Sequence, residues 1–218
     1  MGPATRDDVN LHWLRSEWSK LHLPDEARHL IDNPDLNDPA QNAERSRILR
    51  NYRGFVLDYI PADARYRHVQ VEEEDLPKLF FLTCWDWFLD TGRTFALTNT
   101  LTHLQHGRGG DIAGKRESVD HLRTVEEKIP YIRNYQADVS DEYLILVASK
   151  DSGPYTIIDG THRAAALLME HQQKPNTPWR AILIDSPNMT ANRWHIRFGD
   201  ATQILGGLGD VADDGGIW

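Results

Sequence analysis

The sequence predicts a mixed α/β domain, a small sheet with flanking helices, preceded by a helical N-terminal extension. Three observations lead there. Between residues 142 and 185 the apolar runs EYLILVAS, YTIID and WRAILID are bounded by the turn sequences KDSGP and KPNTP and read as strands. The segment THRAAALLMEHQQ (161–173) between the second and third runs has the composition of a helix. The first 64 residues show helical spacing and a helix-start signal.

Taken in chain order, residues 8–21 (DVNLHWLRSEWSKL) place Leu11, Leu14, Trp18 and Leu21 at helical spacing, with Asp7 or Asp8 available as the cap. The passage LIDNPDLNDPAQN interrupts. Its Asp38-Pro39 pair joins a capping side chain to a proline at the first helical position, where the missing N–H has no intrahelical role, so a second helix runs to about Arg53. Arg45, Arg47, Arg50 and Arg53 make that helix locally basic, and the expectation is a solvated face pairing with nearby carboxylates.

Residues 65–71 (RYRHVQV) alternate as a strand does, and EEEDLPKLFFL reads as an acidic turn entering an apolar segment. Phe80, Phe81, Trp85, Trp87 and Phe88 are expected in the core, since large aromatics contribute the most buried area per residue. Thr91-Gly92 marks a turn, after which helix and strand signals conflict from Thr94 to Leu101. The glycines between Gly107 and Gly114 have the spacing of neither a Walker loop nor a dinucleotide fingerprint. Residues 117–135 predict a helix with Val119, Leu122, Val125 and Ile129 on one face, stopped by Pro130. The expected division is a helical extension over 1–64, an α/β domain over 65–200 and a loose Gly- and Asp-rich tail over 201–218.

Composition narrows the function classes. Among 218 residues, 33 acidic side chains outnumber 24 basic ones, a net charge of −9 that disfavours a broad electrostatic grip on nucleic acid. A small anion needs only a few local donors, so a nucleotide stays open as a ligand. No run approaches the roughly 18 apolar residues of a membrane span, and MGPATRDDVN has neither the basic nor the apolar region of a leader, so a cytoplasmic protein without a membrane partner is expected. The single cysteine, Cys84, excludes an intramolecular disulfide and a cysteine-cluster metal site, and is expected to be a buried thiol.

The strongest chemical signal is TIIDGTHRAAALLME (156–170). A strand that delivers Asp-Gly into a helix start aims backbone N–H groups outward, with the helix dipole adding partial positive charge. Gly160 permits close backbone approach, Thr161 offers a hydroxyl at the cap, and His162 and Arg163 put donors on the first turn. Asp159 can orient a donor or hold Mg2+ against phosphate oxygens. An ordinary Asp-Gly turn with a threonine cap and a solvated first turn accounts for the same residues.

The wider order adds a resemblance. Glu117-Ser-Val-Asp-His-Leu, a helix, two short strands and then Ile-Ile-Asp-Gly-Thr-His-Arg-Ala-Ala-Ala resemble the ParB/sulfiredoxin-like superfamily over residues 112–185. The closest branch is that of nucleotide-dependent free-serine kinases, with Asp-Gly-His-His-Arg at the matching place. Sulfiredoxins carry a catalytic cysteine where this chain has Thr161, which removes sulfinic-acid reduction by that route. ParB proteins attach DNA-binding helices and an arginine-rich motif, which this acidic chain does not show after the motif.

The kinase branch implies Gly160, Thr161, His162 and Arg163 as phosphate binders, with catalytic roles at Asp159 and His162, and Asp159 as the metal-linked carboxylate. It implies Glu117 as the base on the acceptor hydroxyl, and ATP or ADP with Mg2+ as cofactors. Arg116 is a candidate for the substrate carboxylate or an outer phosphate, and Asn188, Asn192, Arg193 and His195 are candidates for the acceptor pocket. The expected activity is phosphoryl transfer to a hydroxyl or amine of an amino-acid-like small molecule. A non-catalytic CTP-type switch closing a homodimer is the alternative, followed by a ParB-like DNA-binding or nuclease protein.

Overall fold

The computed structural model describes residues 2–82, 91, 95–100, 127, 143–171 and 179–191, without the side chains of 53–56, 190 and 191. Five strands form one mixed sheet: β1 (Arg65–Val71), β2 (Leu79–Phe81), β3 (Leu144–Ala148), β4 (Tyr155–Asp159) and β5 (Trp179–Asp185), in the spatial order β1-β5-β3-β4-β2. β3 and β4 pair antiparallel, β3 and β5 parallel, β1 and β5 antiparallel, and β2 and β4 parallel. The α/β class expected from the sequence is the one observed.

The runs LILVA and AILID alternate nothing polar until their ends, which is the pattern of strands covered on both faces. One face presents Leu144, Leu146, Ile157, Ala181 and Leu183 to a helix over Thr161–His171, whose Ala164, Ala165 and Ala166 are fully buried. Three methyl-sized side chains bring the helix backbone close to the sheet, while Leu167 and Leu168 extend the contact. The opposite face presents Ile145, Val147, Ile158, Ile182 and Ile184 to the N-terminal helices. Residues 2–64 and the sheet therefore share a core.

Those helices are α1 (Arg6–Glu17), α2 (His29–Asp32) and α3 (Pro39–Asp58), and the helix after β4, Thr161–His171, is α4. Asp7 and Asp8 do not cap α1. Thr5 does, accepting from the Asp8 amide at 3.2 Å while the Asp8 carboxylate accepts from the Thr5 amide at 2.7 Å, a reciprocal box that satisfies two donors. α1 stops at Glu17, and Trp18 and Leu21, expected within it, pack partly buried from the following 3-10 turn and the residue after it. α3 starts as its sequence predicts, with Asp38 Oδ1 accepting from the Ala40 amide at 2.8 Å, and runs beyond Arg53 to Asp58.

The basic face of α3 needs one correction. Arg47 pairs with Glu44 and Arg50 with Asp58 at the surface, but Arg45 is fully buried. Its guanidinium donates to the carbonyls of Leu30 (3.1 Å) and Asp35 (3.0 Å), and to Gln41 and Asn42. One of these carbonyls belongs to α2 and the other to the loop before α3, and a planar five-donor group reaches both at once.

Phe80 and Phe81 are core, as expected. In the segment where helix and strand signals conflict, Ala96 bridges to Phe80 and residues 97–100 are helical. Trp85, Trp87, Phe88, Cys84, the glycines of 107–114, the 117–135 helix apart from Glu127, and the C-terminal tail lie outside the described residues. Among the described residues no helix is long and apolar enough to cross a membrane.

Replacing Arg45 by leucine strands both carbonyls and is expected to cost about 2–3 kcal/mol, read as a lower urea midpoint at unchanged slope. Arg47→Leu, at the surface, is expected to move stability by less than about 0.5 kcal/mol.

Candidate functional site

β4 ends at Asp159, the chain turns at Gly160, and α4 begins at Thr161. The Gly160 carbonyl accepts from the Ala164 amide at 2.8 Å, the first bond of the helix, so Gly160 rather than Thr161 is the capping residue and Thr161 opens the first turn. Gly160 sits at φ +84°, where L side chains are strained. A Cβ there would also meet Leu144 Cδ2 at 2.9 Å and the Arg163 guanidinium at 3.3 Å. Glycine is required by the backbone conformation, and a Cβ would in addition press on the ends of the Leu144 and Arg163 side chains.

Arg163 reaches back over the turn and donates through Nη1 to the Tyr143 carbonyl at 2.6 Å. Tyr143 immediately precedes β3, and antiparallel pairing sets Ile145 opposite Asp159, which explains why the start of β3 meets the start of α4. The same carbonyl receives His12 of α1. His12 Nε2 lies 2.6 Å from that oxygen and 3.2 Å from the Tyr143 amide nitrogen. One ring nitrogen either donates or accepts, and the shorter contact is to an atom that only accepts, which assigns the Nε2–H tautomer. His68 of β1 flanks the Tyr143 ring on another side, with centroids 5.1 Å apart.

One helical turn after His12, Ser16 Oγ lies 2.9 Å from the Trp13 carbonyl and 3.3 Å from Asp159 Oδ2. Its single proton serves one acceptor at a time. A protonated Asp159 satisfies both contacts by donating to the Ser16 oxygen, whereas an ionised one competes with Trp13 for the serine proton. Burial pushes the Asp159 carboxyl above the ordinary aspartate range; Arg163 opposes this, Glu17 reinforces it, and Lys20 and Ser16 oppose it.

The structure thus brings together Asp159, Gly160, Thr161, His162 and Arg163 on one turn, all five partly buried. To them it adds His12, Ser16 and Tyr143, which the sequence pattern does not single out. Their contacts with the turn span 20 to 143 residues of chain. The only local trace is polar His12 and Ser16 four apart on a helix otherwise read for its leucines. Asn188 stands elsewhere. β5 runs parallel to β3, so the residues after Asp185 lie at the opposite end of the sheet, where Asn188 donates to Asp63 at 3.1 Å. Glu117, Arg116, Asn192, Arg193 and His195 lie outside the described residues.

Comparison of the chain with protein-family models, with curated proteins and with solved structures finds no match.

Folding raises the Asp159 pKa, so across the window between the ordinary aspartate value and the raised one the native state holds the extra proton. Stability from this group is complete below that window and is lost as pH rises through it. Asp159→Asn, neutral at every pH, is expected to melt above the native chain at neutral pH, with the gap closing toward acid; a gap constant in pH would contradict this. Gly160→Ala is expected to cost about 1–3 kcal/mol in chemical denaturation.

Proposed function

We propose that the chain is a cytoplasmic nucleotide-dependent kinase of a small, amino-acid-like acceptor, with the Asp159–Arg163 turn holding phosphate. The observation that carries this reading is the pairing of Gly160 at φ +84° with Arg163 folded over the same turn, at the start of an 11-residue helix. Helix-start amides lack acceptors within the helix, and a guanidinium already fixed by a carbonyl meets an anion without first being ordered. The order of elements that resembles the free-serine-kinase branch of the ParB/sulfiredoxin-like superfamily supports the same class.

Mg2+ suits the donor set. Asp159 Oδ2 contacts Ser16, and among the described residues Oδ1 has no hydrogen-bond partner, so one hard oxygen remains to face a cation. Mg2+ usually takes one or two carboxylates and completes its shell with phosphate oxygens and water. Bound there, it would neutralise charge on the phosphates. Among the described residues no group of three or more His, Cys, Asp or Glu side chains stands ready for a metal, so the nucleotide would bring the remaining oxygens.

In the proposed reaction the acceptor oxygen or nitrogen forms a bond to the terminal phosphorus as the bond to the leaving phosphate oxygen breaks. The acceptor proton passes to Glu117. Gly160, Thr161, His162 and Arg163 contribute fixed donors around the transferred group, and such a loose transfer depends chiefly on positioning and charge. Arg116 would steady the acceptor or an outer phosphate.

Thermal stability followed against ATP, ADP, CTP and GTP with Mg2+ tests this directly. A ligand at a hundred times its dissociation constant adds about 2.7 kcal/mol, several degrees in melting temperature. Stabilisation by none of the four would overturn the phosphate reading. Arg163→Ala is expected to abolish the shift, and Glu117→Ala to keep the shift while removing transfer. Binding without transfer to any hydroxyl or amine acceptor would identify a non-catalytic nucleotide switch.

A further inference from the structure

Two polar side chains of α1 meet the turn or the residue that supports it: Ser16 faces Asp159, and His12 faces the Tyr143 carbonyl. The Tyr143 carbonyl oxygen has two lone pairs, and both are used: Arg163 donates to it at 2.6 Å and His12 Nε2 lies 2.6 Å from it, so the two side chains are tied to one atom. Ser16 is satisfied by the Trp13 carbonyl, yet its oxygen also faces Asp159. His12 is 6% exposed, a costly place for an imidazole whose role is only to fill space. The spacing of four residues puts both on one face of α1, where His12 touches the carbonyl that holds Arg163 and Ser16 touches Asp159 itself.

We propose that α1 is a working part of the phosphate site, with His12 and Ser16 as its positioning residues. The proposal rests on the phosphate reading of the turn. Two donors on one oxygen fix the carbonyl in two directions, and so fix where the Arg163 guanidinium stands before ligand arrives. Ser16 fixes the rotamer of Asp159 by holding Oδ2. The N-terminal helices, which complete the core on one face of the sheet, thereby also set the geometry of the turn. Ligand affinity then depends on these two polar contacts of α1 and not on its apolar packing.

The test uses the full chain and titrates Mg·ADP calorimetrically. Loss of an outer partner of this kind lowers affinity roughly tenfold or more, and that is expected for His12→Ala and for Ser16→Ala. His12→Gln, whose amide can donate to the Tyr143 carbonyl, and Ser16→Thr, which keeps the hydroxyl, are expected to recover native affinity. Leu14→Ala loosens α1 from its apolar side, since Leu14 is fully buried, and is expected to lower the melting temperature without weakening binding. Native affinity in both alanine variants at positions 12 and 16 would overturn the proposal and leave the phosphate reading standing. Equal weakening by Leu14→Ala, or no recovery in the conservative variants, would reduce α1 to packing and also overturn it. No binding by the native chain removes both readings. Where His12→Ala fails to fold, the half-buried Ser16→Ala and Ser16→Thr pair decides the matter.

Discussion

β3 and β5 carry apolar side chains on both faces, and neither face can be left to water. Leu144, Leu146, Ala181 and Leu183 on one side and Ile145, Val147, Ile182 and Ile184 on the other require two separate covers. α4 supplies the first, and its three buried alanines set how near the helix lies. The second comes from α1 to α3, through Val9, Leu14, Leu30, Leu49 and their neighbours. A segment that reads as an extension is thus half of the enclosure of the sheet.

Polar groups collect where the ladders end. At one end Asp185 is buried against Arg65 and Arg67, and Asp63 ties Ser186 and Asn188 together, so the β5 terminus is closed by charge pairs and hydrogen bonds. At the other end stands the turn after β4, with α1 laid across it. Asp185 is buried and Asp159 partly so, and they differ in what answers them. Asp185 has two guanidiniums within ion-pair distance, whereas Asp159 has a serine hydroxyl, with Arg163 committed to a carbonyl. The first arrangement holds an ion in place; the second holds a carboxyl whose charge burial resists, and such groups gather where chemistry is done.

The edges of the sheet are managed locally. Gly2 and Ala4 exchange backbone bonds with His68 and Tyr66 along β1, and the Phe81 amide donates to the Phe95 carbonyl beside β2. These short pairings keep both outer strands from presenting a full row of open donors and acceptors. They also hold β1 in the register that sets His68, Ile182, Ile145 and Asp159 in one row across the sheet.

Local chemistry was enough to read much of this chain. Strands at 65–71, 155–159 and 179–185 follow from apolar runs between turns, the start of α3 follows from Asp38-Pro39, and the turn at Gly160 follows from Asp-Gly before a helix-forming run. Each of these rests on neighbours within a few positions, where backbone sterics and side-chain periodicity act. Thr5 rather than Asp7 or Asp8 as the cap of α1, and Gly160 rather than Thr161 as the cap of α4, are shifts of one to three residues within the local signals. The burial of Arg45, the placement of Asn188 away from the turn, and the convergence of His12 and Arg163 on one carbonyl depend on elements brought together from 10 to 131 positions apart. Hydrogen-bond partners at such separations leave no periodic mark along the chain. They exist only once two faces of one sheet have each found a cover.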